Sequence, residues 1–182
     1  MTTSPLSPPH RVIRFLDSIA EFTGTTTAWL TCLMVLIACI VVTLRHLFGI
    51  GSVGLQESVT YMHAMVFMLG AAYALKTGDH VRVDIFFRRF SAHKRAWVEV
   101  LGSLLFTLPM MIFIGWGSVD FVRESWRIGE GSTDSGGLGG VYLLKTLLPV
   151  MAVSVGLQAI AELLRNLLVL MNVTPVMEEP SC

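Results

Sequence analysis

Three histidines, His46, His63 and His80, are the first residues to test for chemistry, because imidazole nitrogens can ligate haem iron between membrane helices. Two haem ligands must lie at the same depth. His63 is ~12 Å from the outward end of its predicted helix, His46 is only a few Å from the outward end of the preceding one, and His80 belongs to the opposite side. A hydrogen-bonded His63 between helices is therefore the favoured interpretation, and no haem is expected.

Glu57 and its neighbour Gln56 form the second candidate, since polar groups inside apolar spans are functional candidates by default. Glu57 lies one turn into a predicted helix, where the positive end of the helix dipole favours a carboxylate. Stabilisation of the helix end and a contact between subunits both fit. Sodium ligation is disfavoured because no other carboxylates cluster nearby in the sequence.

Other reactive patterns are missing from the sequence. It contains no Ser/His/Asp arrangement, no metal-ligand spacing, and no phosphate loop. The segment GEGSTDSGGLGG at 129–140 lacks the Gly-Lys-Ser/Thr ending of a Walker motif and predicts a flexible outer loop. We therefore expect no catalytic residue, no bound metal and no cofactor.

The composition indicates a membrane protein. Of the 182 residues 53% are hydrophobic and only 14% are charged, against about 25% charged in a soluble domain. The net charge of zero gives no reason to expect nucleic acid as a partner. Four apolar runs are each long enough to cross a bilayer. The predicted fold is an all-α integral membrane protein with spans at about 25–48, 55–75, 97–122 and 141–171.

The flanking segments are polar or amphipathic. Residues 1–9 are rich in proline, serine and threonine, which predicts disorder. Residues 10–24 place apolar side chains on one helical face, which predicts a short helix at the membrane surface. Residues 172–182 are too few to form a domain.

The loop at 76–96 is the most basic part of the chain, because it holds six of the chain's thirteen lysines and arginines. Phenylalanines recur there at helical spacing, which predicts a second interfacial helix bound to lipid headgroups. The predicted anchoring residues are Phe86, Phe87, Arg88, Arg89, Phe90, Lys94 and Arg95.

The basic loop opens with Gly78, which allows the preceding helix to end in a left-handed conformation. Asp84 suits the start of the following helix. His80 and Arg82 then face headgroups or a partner subunit, so these residues are predicted to be structural or to contact a partner.

Charge also predicts orientation. The side with the N-terminus, loop 76–96 and the C-terminus carries nine lysines and arginines, and the other side carries four. The positive-inside rule therefore places both termini in the cytoplasm. Pro109 and Pro149 fall inside the third and fourth spans at similar depth, where each is predicted to kink its helix.

Several motifs together resemble one transporter family. They are Leu55-Gln56-Glu57, Tyr61, His63-Ala64, Gly70-Ala71-Ala72-Tyr73 and His80-Val81-Arg82-Val83-Asp84. They are similar to the small permease subunit of tripartite ATP-independent periplasmic (TRAP) transporters, the DctQ-like family. Later elements resemble its mannitol/chloroaromatic-type branch: Ser125-Trp126, Gly129-Glu130-Gly131-Ser132, Gly136-Gly137-Leu138 and Leu144-Lys145.

The resemblance implies a division of labour in a bacterial inner membrane. A large permease subunit carries the solute and sodium sites, and a periplasmic binding protein delivers the solute, which is an organic acid. The small subunit scaffolds and anchors the large one in the lipid. Two other functions remain open from the sequence: a haem- or quinone-binding membrane anchor of a redox complex, and a self-sufficient small transporter or channel.

Overall fold

The computed structural model describes residues 8–78 and 90–171, and the regular structure in these ranges is helical. The helices are α1 (Pro8–Phe48), α2 (Val53–Thr77), α3 (Ala92–Gly102), α4 (Leu108–Ile128) and α5 (Val141–Leu170). A π-helical turn, Ser103–Thr107, joins α3 to α4 into one long helix. Four helices are long and apolar enough to cross a membrane, which confirms the predicted fold class.

Helix α1 differs from the expectation of two separate segments at 10–24 and 25–48, because it runs without a break through both. The threonine-rich stretch between them is also helical, and its hydroxyls donate to carbonyls one turn back. Thr25 donates to Glu21 at 3.0 Å and Thr26 to Phe22 at 2.8 Å. The location of residues 10–24 at the membrane surface stays a prediction.

Helix α2 has clear signals at both ends. The hydroxyl of Ser52 accepts a hydrogen bond from the amide of Leu55 at 3.4 Å, which caps the start. Gly78 ends the helix with φ 76° and donates its amide to the carbonyls of Ala74 and Leu75. The predicted left-handed end at Gly78 is confirmed.

The π-helical turn between α3 and α4 lies directly before Pro109. Proline has no N–H to donate to the carbonyl four residues earlier, and its ring crowds that carbonyl, so a widened turn is a local way to accommodate it. Pro149 lies inside α5. The kinks expected at both prolines stay predictions.

Helix α5 is the centre of the bundle, because it contacts every other helix. Its inward face is built from small and apolar side chains, including Ala152, Val155 and Ala159. A Cβ added at Gly115 of α4 would lie 3.4 Å from the Cβ of Ala152, so these two helices approach closely. The α3–α4 helix packs mainly on α5, and much of the apolar surface of the spans stays uncovered for lipid or a partner.

Several predicted features lie outside the described residues. They are residues 1–7 of the disordered start predicted at 1–9, the tail at 172–182, the turn with His80, Arg82 and Asp84, and the anchoring residues Phe86, Phe87, Arg88 and Arg89. Pro8 and Pro9, the rest of that start, are helical instead and begin α1. The remaining anchoring candidates are described: Phe90 is 38% exposed, and Lys94 and Arg95 are exposed in the first turn of α3.

Candidate functional site

Polar contacts concentrate at the two ends of the bundle. At the loop end, where α2 and α5 begin, Glu57 binds the segment 129–140 that connects α4 to α5. The Ser132 hydroxyl donates to Oε1 of Glu57, and the backbone amide of Leu138 donates to Oε2 at 2.6 Å. Glu57 therefore ties α2 to a loop some eighty residues away in the chain.

The 129–140 loop has hydrogen bonds of its own, and the flexibility expected for it stays a prediction. The amide of Ser132 donates to the carbonyl of Leu138 at 2.9 Å, and that of Gly137 donates to Asp134 at 3.0 Å. A Cβ at Gly137 would lie 2.7 Å from Oε1 of Glu57. Glycine at 137 is what allows the loop backbone to approach the carboxylate.

A second contact at the loop end joins the start of the loop to α5. Lys145 donates to Glu130, and the same ammonium group lies 4.0 Å from the ring centroid of Phe121. The bond from Lys145 holds the pKa of Glu130 below its ordinary value of 4.5. Trp126 donates its indole N–H to the hydroxyl of Thr146 at 2.9 Å, which adds a neutral contact between α4 and α5.

The charged end of the bundle, where α1 begins and α2 and α5 finish, holds an ionic network. The carboxylate of Asp17 receives two hydrogen bonds from Nη2 of Arg165, at 2.8 and 3.1 Å. Gln158, which is 1% exposed, donates to the same carboxylate at 3.2 Å. Arg165 also binds Glu162 one turn earlier on α5. Asp17 thereby fixes α1 against α5.

Lys76 brings α2 into this network. Its ammonium group donates to Glu21 at 2.6 Å and to the backbone carbonyl of Asp17 at 3.2 Å. Sequence reasoning missed this cluster, because residues 10–24, which contain Asp17 and Glu21, were predicted to form a separate helix at the membrane surface. One pattern in the sequence could have indicated it: charged residues occur at three predicted helix ends that lie on the same side of the membrane.

The other α2 candidates do not join either cluster. Gln56 and His63 are both exposed, and the side chain of neither forms a hydrogen bond within residues 8–78 and 90–171. The expectation of a His63 hydrogen-bonded between helices of this chain was therefore wrong. Its side chain lies on the free face of α2 instead.

The chemistry of the two clusters is that of structural ties. Their carboxylates accept hydrogen bonds from cations, a hydroxyl or a backbone amide of the same chain. In the described parts of the chain, no three His, Cys, Asp or Glu residues are grouped so that they could hold a metal ion. The predicted site residues are thus divided: Glu57 belongs to a tie, whereas the side chains of Gln56 and His63 are exposed outside both clusters.

Comparison with known proteins gives one match. Residues 34–169, about three quarters of the chain, match the family described as tripartite ATP-independent periplasmic transporters, DctQ component. Neither the curated proteins nor the solved structures contain a match. The matched range includes only the last third of α1, from Met34 to Phe48, and all of the loop-end cluster.

Proposed function

Because the chain belongs to the DctQ family, it is a small membrane subunit of a TRAP transporter and not an enzyme, and we propose that it scaffolds and anchors the large permease subunit. In this proposal the large subunit carries the solute and the coupling sodium ions. A periplasmic binding protein delivers an organic acid. The chain itself forms a one-to-one complex with the large subunit and moves no solute alone.

The observation that carries this proposal is where the ionic contacts lie. The ion pairs that join different segments among the described residues sit at the two ends of the bundle: Asp17–Arg165 and Glu21–Lys76 at one, Glu130–Lys145 at the other. Charged groups that move a solute lie instead along a path through the membrane. Ties at the two ends suit a rigid support.

Co-purification tests the scaffold role. An affinity tag on this chain should recover the large permease subunit in equal amount from detergent-solubilised membranes when both are expressed together. Recovery of the chain alone would contradict the proposal. An absorption spectrum of the same sample tests the alternative of a haem-binding membrane anchor, since bound haem would give a Soret band.

We further propose that both termini and loop 76–96 are cytoplasmic. The support is the nine-to-four excess of lysine and arginine on that side. In a background without native cysteines, Ser135→Cys should react with an impermeant maleimide in intact spheroplasts, and Ser91→Cys should not. Ser135 is preferable to Ser132 as a probe, because the hydroxyl of Ser132 binds Glu57. Labelling of position 91 alone would show that the orientation is the opposite of the one proposed.

The resemblance of segment 125–145 to the mannitol/chloroaromatic-type branch supports a proposal about the solute class. We propose that the chain belongs to that branch and that the transported solute is an organic acid. Thermal-shift screening of the cognate binding protein with a panel of organic acids and polyols tests this assignment. Stabilisation by polyols and not by acids would overturn the organic-acid part.

A further inference from the structure

One face of α2 carries a line of exposed polar side chains, which we name the α2 polar strip: Gln56, Thr60 and His63. The spacings of four and three residues place them above one another on the same helical face. Phe67, 67% exposed, continues the line one turn further. The other sides of α2 pack on α1 and α5.

His63 lies too deep to reach water easily. Helix α2 has 25 residues, so it is ~37 Å long and exceeds a 30 Å hydrocarbon core by only about 7 Å. His63 comes ten residues after Val53, about 15 Å along the helix. The depth of His63 depends on how the extra 7 Å is divided between the two ends of the helix. An α2 that is perpendicular to the membrane places His63 about 8 to 15 Å below the nearer surface of the hydrocarbon layer.

An imidazole at this depth needs a hydrogen-bonding partner that lipid chains do not supply. Exposed threonines of the spans avoid the problem: Thr43 donates to the carbonyl of Cys39 at 2.7 Å, within its own helix. His63 has no such bond among the described residues. Ile112 and Phe113 of α4 are also exposed, but their side chains are wholly apolar, so lipid satisfies them.

We propose that the α2 polar strip is the docking face for a transmembrane helix of the large permease subunit, which offers a polar side chain or a free backbone carbonyl to His63. This inference rests on the proposed function and adds the location of the interface. Lipid does not fit the hydrogen-bonding chemistry at this depth. The strip lies within residues 34–169, the range that matches the DctQ family. A large permease subunit is the expected partner in that family.

Photo-crosslinking locates the partner without changing His63. In one variant benzoylphenylalanine replaces Phe67 on the strip. In a matched variant it replaces Phe113 on α4, whose side chain is 78% exposed. In membranes containing the complete transporter, irradiation should join position 67 to the large subunit and leave position 113 without a protein adduct. A product containing two copies of this chain, an adduct within the chain, or lipid adducts only at position 67 would overturn the proposal.

Substitution measures the contribution of the hydrogen bond. His63→Leu should weaken association with the large subunit about threefold, and up to roughly twentyfold, as membrane hydrogen bonds do. His63→Gln should restore most of the association, and Phe113→Leu should leave it unchanged. Equal binding by wild type and His63→Leu would refute the strip while leaving the scaffold role intact. Failure of the wild-type chain to bind the large subunit would refute both.

Discussion

At the loop end of the bundle, Glu57 binds a hydroxyl and a backbone amide of one loop, whereas at the charged end Asp17 binds the guanidinium of Arg165 on another helix. The first tie depends on the path of the backbone through residues 132–138. The second depends on long side chains that join helices directly. Both connect parts of the chain that are distant in sequence.

The difference indicates what each end can tolerate. A loop held by backbone amides fails when its backbone cannot follow the same path, so glycine positions are decisive there. An ionic tie between helices fails when one partner is removed, because the other charge is left behind in partly buried surroundings. The three predictions below separate these two modes of failure, beginning with the largest expected effect.

Removing one charge at the charged end should have the largest effect. Arg165→Leu leaves Asp17 and Glu162 without their cation. A fully buried broken pair costs about 3–5 kcal/mol, and partial exposure of Arg165 lowers our expectation to about 2 kcal/mol. Thermal unfolding in detergent, followed by circular dichroism, measures the loss.

The double variant Asp17→Leu/Arg165→Leu distinguishes a broken ion pair from lost packing. With Asp17 and Arg165 both absent, only Glu162 still lacks its cation, so stability should recover part of the loss in the single variant. Glu124→Gln is the matched control, since Glu124 pairs with Arg127 on the exposed surface and should give no measurable change. Additive losses in the double variant would show that Asp17 and Arg165 do not act as a pair.

A methyl group at the loop end should have a smaller effect. Gly137→Ala places a Cβ against Ser132 and Glu57, so the loop must shift, with an expected loss of about 1–2 kcal/mol. Gly139→Ala is the control, because a Cβ there meets nothing within 4 Å. Equal unfolding temperatures for the two variants would contradict a tightly fitted loop.

Acid should produce the smallest effect, again at the loop end. The pKa of Glu130 lies below its ordinary value of 4.5, so the folded protein binds this proton less tightly than the unfolded chain does. The Glu130–Lys145 contact therefore contributes stability fully above pH 4.5 and loses it as pH falls further. Hydrogen exchange of residues 130–145 should show protection decreasing in this range. Glu130→Gln should reduce the pH dependence and leave the part that comes from Glu57, whose carboxylate binds the same loop. A loss that begins near neutral pH would assign it to another group.

The sequence was sufficient for the spans and the fold class, since each span carries enough apolar residues to be recognised alone. It was also sufficient for the left-handed end at Gly78, because that signal is local. It did not reveal the tie from Asp17 to Arg165, since those residues are 148 positions apart and each fits a polar helix face equally well.

The loop at 129–140 shows what composition alone does not reveal. Its glycines predicted flexibility, which stays a prediction, but they did not indicate that Gly137 is the position that permits close contact with Glu57. The π-helical turn before Pro109 was also missed, because a proline in a span can be accommodated in several ways that differ only in neighbouring packing.

Uptake by reconstituted vesicles tests the central claim, that this chain supports transport without performing it. Three preparations are compared under an inward sodium gradient with the binding protein present: this chain alone, the large subunit alone, and both together. A radiolabelled organic acid retained by the binding protein is the solute. We predict sodium-driven uptake with both subunits and none with this chain alone. Uptake by this chain alone would contradict the account.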